Sequence, residues 1–168
     1  MTSGDLPPGS STKKLTALVT LRMLIGWHFL YEGLVKIVNP NWSAAELLAQ
    51  SQGAFSGIFH WFLGDPARLA AVDFLNRWGL LLIGAGLIAG FLTRYATMAG
   101  MLLLALYYFC TPPLPFYSYS MPTEGSYLLV NKVLIELAAL WVLLAFPTGD
   151  IVGLDRLFVR RGRGGDVR

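Results

Sequence analysis

The pattern of apolar positions divides the chain into four long hydrophobic runs. They cover Leu15–Val38, Leu69–Phe91, Tyr95–Cys110 and about Tyr127–Phe146. A helix rises about 1.5 Å per residue, so runs of this order can cross a hydrocarbon core about 30 Å thick. The first run is longer than the apolar part of a cleavable signal, and we expect a retained helix there. The pattern therefore predicts an all-α integral membrane four-helix bundle.

The segment between the first two runs predicts a short interfacial helix. Proline cannot continue a hydrogen-bonded helix, so Asn39-Pro40 ends the first one. Ser43-Ala-Ala-Glu46 matches a capping box and predicts a helix through about Ser51. Residues 53–64 are rich in Trp and Phe, which favour the membrane interface. In the second run, small residues at Gly79, Gly84, Gly86 and Gly90 predict close helix packing.

Charge content and placement support a membrane protein and predict its orientation. Charged residues make up 14% of the chain, against about 25% in a soluble domain. The net charge is +3, and most basic residues lie in the tails: Lys13, Lys14, Arg156, Arg160, Arg161, Arg163 and Arg168. This distribution excludes a nucleic-acid-binding face and predicts cytoplasmic termini. Residues 39–68 and 111–126 then face outward, and we expect a bacterial inner membrane protein.

Composition along the chain predicts three parts. Residues 1–12 are rich in Pro, Ser and Gly and indicate a disordered cytoplasmic tail. Residues 13–158 form the membrane domain, and residues 159–168 form a basic cytoplasmic tail.

Ionisable and polar residues inside the runs are the candidate functional groups. At 100° per residue, Arg22, His28, Glu32 and Lys36 share an arc of about 120° on the first helix. The other helices contribute Asp73, Asn76, Arg77, Tyr107, Tyr108, Asn131, Lys132 and Glu136. Measured from the predicted helix ends, these groups converge in the outer half of the membrane, with Lys132 about 10 Å and Glu136 about 16 Å deep.

Charges inside a membrane are costly and usually mark a site or a pathway. We expect His28, Glu32 and Lys132 to act in catalysis, with His28 as proton donor or relay and Glu32 as its partner. The predicted ligand-binding residues are Lys36, Asn76, Arg77, Tyr107, Tyr108, Asn131 and Glu136. The alternative is a charge-balanced network that only fixes the helix register.

Metal and haem chemistry is not expected. A single cysteine, Cys110, excludes an intramolecular disulfide and a thiolate metal cage. The two histidines, His28 and His60, are too few for paired bis-histidine haems.

Three stretches resemble the DoxX/DoxD family of small four-helix membrane proteins: RMLIGWHFLYEGLVKIVNPNWS, GAGLIAGFLTRYATMAGMLLLALYY and EGSYLLVNKVLIELAALWVLLAFPTGDIVGLDRL. The resemblance covers roughly residues 18–158. The arginine and Tyr-Glu-Gly of the first helix, combined with Asn-Lys of the fourth, carry it most specifically. It implies the membrane subunit of a quinone-linked oxidoreductase that passes electrons from thiosulfate to quinone. It also implies a second redox subunit on another polypeptide.

The residues themselves leave three functions open. The first is the quinone-linked subunit, whose quinone would need hydrogen-bond donors and a proton source. The second is a non-enzymatic anchor or assembly subunit of a larger membrane complex. The third is a small carrier for a proton or polar solute, which would need a homo-oligomer because four helices are few.

Overall fold

A computed structural model describes residues 10–120 and 128–156. Within these two ranges the chain forms six complete helices and no strand. They are α1 (Ser10–Val38), α2 (Ala45–Ala49), α3 (Ser56–Leu63), α4 (Pro66–Ala89), α5 (Thr93–Cys110) and α6 (Lys132–Ala145). The all-α prediction is confirmed for this part of the chain.

Two of the described helices, over Ser11–Val38 and Pro66–Ala89, are long and apolar enough to cross a membrane. The helix α5 has 18 residues and α6 has 14. The fourth helix is therefore shorter than predicted, because residues 128–131 are not helical. The Asn131 side chain accepts a hydrogen bond from the Leu134 N–H at 3.0 Å and so fixes the start of α6.

The tail boundaries also differ from prediction where they are described. The helix α1 begins at Ser10, so residues 10–12 are helical although they were predicted to belong to a disordered tail. Residues 1–9 and the predicted tail 159–168 lie outside the described residues.

Local sequence signals set both ends of α4. Asp65 precedes Pro66, and its carboxylate accepts hydrogen bonds from the N–H groups of Ala67 and Arg68. The N–H of Ala67, and to a smaller extent that of Arg68, holds the pKa of Asp65 below its usual value. At the other end Gly90 adopts a φ of 64°, the left-handed conformation that glycine accepts readily at a helix terminus. The helix starts three residues before the predicted Leu69 because this cap precedes the apolar run.

The helices α1 and α4 pack closely through glycine. A β-carbon at Gly33 would lie 2.6 Å from the backbone nitrogen of Leu81, and one at Gly84 would collide with the backbone of Leu30. The predicted close packing is thus present at Gly84. A β-carbon at Gly79 would meet nothing within 4 Å, so that glycine does not serve this contact.

The four longer helices form a closed ring in which α1 contacts α4, α4 contacts α5, α5 contacts α6, and α6 returns to α1. Their shared core consists of Ile25, Phe29, Leu80, Ile83, Leu87, Leu104, Leu140 and Leu143. Large apolar side chains such as Trp27, Leu82 and Trp141 point outward and are exposed. A ring that is apolar inside and outside is typical of helices surrounded by lipid.

The chain following α6 closes one end of the ring. The Arg22 guanidinium is buried and donates to the Thr148 hydroxyl at 3.0 Å and to the Val152 carbonyl at 2.7 Å. The Asp155 carboxylate accepts hydrogen bonds from the N–H groups of Leu92 and Thr93 at the start of α5. Arg22 therefore secures this end, although it shares a helix face with the predicted site residues.

The segment between α1 and α4 contains two short helices, α2 and α3, rather than one. Ala44 is the residue before α2 and makes no side-chain cap, so the predicted capping box is wrong. The Ser43 hydroxyl instead accepts from the N–H of Ala45 at 3.2 Å in a local turn. A second core holds this segment in place and consists of Ala44, Leu48, Phe59 and Cys110.

Candidate functional site

A cavity of about 790 Å³ lies where the segment after α1 meets the ring of four helices. Its walls come from α1, α2, α4, α5 and α6 and from residues of the segment between α1 and α2. Seven of the predicted site residues line it: His28, Glu32, Lys36, Asn76, Tyr107, Lys132 and Glu136. The tertiary structure therefore brings most of the predicted polar residues to one cavity.

The α1 side of the cavity carries three of these residues at four-residue intervals. The Lys36 ammonium lies 2.6 Å from the Glu32 carboxylate, with the lysine side chain largely buried. This pair is the one that the i, i+4 spacing predicts. His28 lies one turn earlier on the same face.

His28 contacts α6. Its Nδ1 atom lies 2.8 Å from Oε1 of Glu136, and the direction of the hydrogen bond depends on the imidazole tautomer. The partner of His28 is thus a carboxylate on another helix, and not Glu32 as predicted. Glu136 stands in the second turn of α6, where it can reach across to α1.

The late start of α6 changes the predicted depths. Lys132 is the first residue of the helix, and Glu136 lies only about 6 Å further along its axis. Both therefore lie nearer the start of their helix than a helix beginning at about Tyr127 would place them. Lys132 and Glu32 line the same cavity, and an ion pair between them stays a prediction.

The α4 and α5 side of the cavity is polar without formal charge. The Tyr107 hydroxyl donates to the Asn76 carbonyl oxygen at 2.9 Å, and Asn76 is buried. A buried amide has further hydrogen-bonding capacity beyond this single bond. Tyr107 therefore contributes to the polar lining of the cavity together with Asn76.

Three predicted site residues do not line the cavity and have other partners. Arg77 donates a hydrogen bond to the Trp42 carbonyl. The Tyr108 hydroxyl donates to the Leu129 carbonyl at 2.8 Å, which ties α5 to the residues before α6. Asn131 caps α6, as described above. These residues shape the surroundings of the cavity instead of facing into it.

Residues 39–47 form one wall of the cavity, although they were not among the predicted site residues. Its central residue is Trp42, whose ring has the Lys36 ammonium and the Arg77 guanidinium each 5.4 Å from its centroid. Asp73 accepts a hydrogen bond from the N–H of Ala44 at 2.7 Å and fixes the same wall to α4. The sequence signal was a tryptophan among polar residues directly after a membrane run, in NPNWS.

Most ionisable groups of the cavity stand on α1 and α6, and Glu46 of α2 adds a further carboxylate. Glu32 and Glu136 can accept protons, Lys36 and Lys132 can donate hydrogen bonds to anions or carbonyls, and His28 can do either near neutral pH. With His28 neutral, the four charges from α1 and α6 sum to zero. The cavity is therefore suited to binding a polar group and exchanging protons with it.

A family model, DoxX, matches residues 17–112, which is more than half of the 168-residue chain. The matched region contains most of α1 and all of α2 to α5, and it ends before the α6 residues Lys132 and Glu136. Comparison with the curated proteins finds no match, and comparison with the solved structures finds none either. The family match agrees with the motifs quoted above for the first two stretches, and on this ground the chain belongs to the DoxX family.

Proposed function

We propose that the protein is a membrane subunit of a quinone-linked oxidoreductase, with α1, α4, α5 and α6 as a four-helix membrane bundle. Its cavity takes the headgroup of a quinone, the electron acceptor. The observation that carries the proposal is the convergence of an imidazole, three carboxylates and two ammonium groups on one cavity of about 790 Å³. Ionisable residues are costly inside a membrane, and such a cluster is expected where a ligand uses it.

The chemistry of the cavity suits quinone reduction. Reduction of a quinone to a quinol takes up two electrons and two protons, and its carbonyl oxygens need hydrogen-bond donors. Lys132 and the amide N–H groups of Asn76 line the cavity as donors. His28 and Glu136, which lie within hydrogen-bond distance of each other, are the proton source. The electrons come from thiosulfate through a second redox subunit, as the resemblance to the thiosulfate:quinone oxidoreductase subunit implies.

The test is an assay of the purified protein together with its copurifying partners. Lipid-soluble molecules are extracted and identified, and thiosulfate-dependent reduction of a short-chain quinone is measured. We expect bound quinone, and turnover that is lost in His28→Phe and Lys132→Met although both variants still insert in the membrane. Full activity in both variants would contradict the site assignment.

His60→Phe is the matched control for His28→Phe. His60 is exposed on α3 and does not line the cavity. The same substitution there should leave quinone binding and turnover unchanged. Equal losses in the two variants would point to a general effect of removing a histidine and not to the cavity.

The exposed side of α3 favours a second candidate function, a non-enzymatic anchor in a larger membrane complex. Phe55, Ile58 and Trp61 are all exposed on or next to this short helix. An apolar patch of this kind is a suitable docking surface for another membrane subunit. Reproducible copurification of large partners, without bound quinone or turnover, would support this function over the first.

A further inference from the structure

We propose that the ligand of the cavity is amphiphilic and enters from the lipid through the seam between α1 and α6, where its apolar tail stays. The seam is the strip between the facing sides of these helices. The helical repeat assigns to it Leu21, Leu24 and His28 on α1 and Glu136, Ala139 and Leu143 on α6. The inference rests on the proposed function and adds to it the route and the shape of the ligand.

The seam is the loosest of the contacts in the helix ring. The helix α1 packs against α4 along an extended interface with glycine contacts at Gly33 and Gly84, and α5 packs extensively against α6. The helices α1 and α6 share a much smaller interface. At the level of the cavity, a side-chain pair, His28 with Glu136, connects them. Side chains can change rotamer more easily than packed helix backbones can separate.

The polar groups of the cavity are accessible on the seam side. The His28 side chain is 50% exposed although it bonds to Glu136, which is 15% exposed. The neighbouring Glu32 side chain is 46% exposed, whereas Lys36, behind it, is 13% exposed. His28 and Glu32 are therefore accessible from outside the ring, whereas Glu136 and Lys36 are largely buried. On this proposal the cavity opens beside His28 and Glu32, between α1 and α6.

Apolar side chains border this opening. Leu24, Tyr31 and Val35 on α1 and Ile135 on α6 are all exposed. An outward surface of this composition is suited to acyl chains and not to water. A ligand that passes here meets apolar side chains first and paired charges second. A molecule with a polar head and an apolar tail matches both parts.

A second opening serves polar molecules without a tail. Exposed Asn39 and Asn41 line the cavity from the segment between α1 and α2, and exposed Glu46 lines it from α2. This rim presents hydrogen-bonding groups to an entering molecule. The two routes can therefore be separated by ligands that differ only in their tail.

Adjacent alanines on α6 provide the test. The helical repeat directs Ala139, which is partly buried, toward α1, and Ala138, which is exposed, away from the ring. Single cysteines replace each alanine on a Cys110→Ala background, and the folded proteins are placed in nanodiscs. A benzyl methanethiosulfonate reagent then blocks each thiol reversibly. Modification after folding avoids the folding failure that a direct Ala139→Trp substitution risks.

Binding is measured by tryptophan fluorescence quenching with decylubiquinone and with the same benzoquinone lacking its tail. Blocking position 139 should weaken binding of the tailed quinone at least about tenfold and that of the tail-less quinone less than about twofold. Blocking position 138 should change the binding of neither quinone. A reductant that removes the blocking group from position 139 should restore binding of the tailed quinone.

The outcomes separate the route from the function. Unchanged binding of the tailed quinone after blocking position 139, or an equal loss at position 138, would overturn the seam route and leave the quinone site standing. If the unmodified, folded protein binds neither quinone, the proposed function is wrong and the inference is overturned with it.

Discussion

His28 and Glu136 are the residues whose contact connects α1 and α6 at the cavity. Each residue finds its partner on the other helix, so the pair exists only when the two helices are packed together. In contrast, Glu32 and Lys36 pair within α1 and can do so in the isolated helix. At the residue scale, the cavity thus combines one local ion pair with one hydrogen-bonded pair that depends on the fold.

Removing both members of the His28–Glu136 pair should be less destabilising than the sum of the single changes. Residues in contact typically show interaction energies of about 0.5–3 kcal/mol. We therefore expect the double variant His28→Gln/Glu136→Gln to lose less stability than the sum of the losses in the two single variants. Thermal unfolding in detergent measures all three. If the two losses add, the contact does not contribute to stability.

Asp65 should give the protein an acid-sensitive component of stability. Its pKa is lowered in the folded chain from 3.8 by the N–H groups of Ala67 and Arg68, so folding favours the charged carboxylate. The stabilisation is complete above the unfolded pKa and is lost as the pH falls through the lower folded pKa.

Asp65→Asn keeps a capping oxygen without the charge. Melting temperatures from about pH 7 to about pH 3 should therefore fall more in the natural protein than in this variant. If the melting temperatures of the two proteins fall equally with pH, Asp65 is not the source of the acid sensitivity.

The contact between α1 and α4 is the clearest structural determinant at the element scale. Two long helices approach closely because glycine stands where a side chain would collide with the facing backbone. The neighbouring wall of residues 39–47 is held to α4 by Asp73 and Arg77, so a shift of α4 would also move the cavity wall. Packing and site geometry are thus coupled through α4.

Gly84→Ala should destabilise the protein by about 1–3 kcal/mol, since overpacking forces the helices apart. Gly79→Ala is the matched control on the same helix, because a β-carbon there meets nothing within 4 Å. We expect a change below about 1 kcal/mol for the control, since alanine favours helix more than glycine does. Thermal unfolding in detergent measures both. Equal effects at the two positions would show that the close approach at Gly84 is not limiting.

At the scale of the whole molecule, the ring of helices has an apolar core and an exposed apolar outer surface. Basic residues occur at the chain ends and at Arg94, the second residue of α5. The positive-inside rule predicts that this end faces the cytoplasm and that the cavity end faces outward.

Cysteine labelling tests this orientation. On a Cys110→Ala background, Gly57→Cys should react with an impermeant thiol reagent in intact cells, because Gly57 is exposed on α3. Arg94→Cys at the opposite end is the control and should react only after permeabilisation. Labelling of position 57 only after permeabilisation would reverse the topology.

Features that depend on neighbouring residues along the chain follow from the sequence without a structure. Apolar runs give the three helices α1, α4 and α5 within a few residues, because hydrophobicity and helix length are local properties. The spacing of Glu32 and Lys36 gives their ion pair, and the motifs of the first two stretches indicate the DoxX family, which the family match confirms.

The tertiary structure alone decided which polar residues meet. His28 pairs with Glu136 and not with Glu32, and Arg77, Tyr108 and Asn131 stabilise neighbouring backbone instead of lining the cavity. A helical repeat assigns a residue to a face but does not specify the partner that another helix presents there. The start of α6 at Lys132 is a local feature that the apolar pattern does not give, because the Asn131 cap and not the end of an apolar run fixes it.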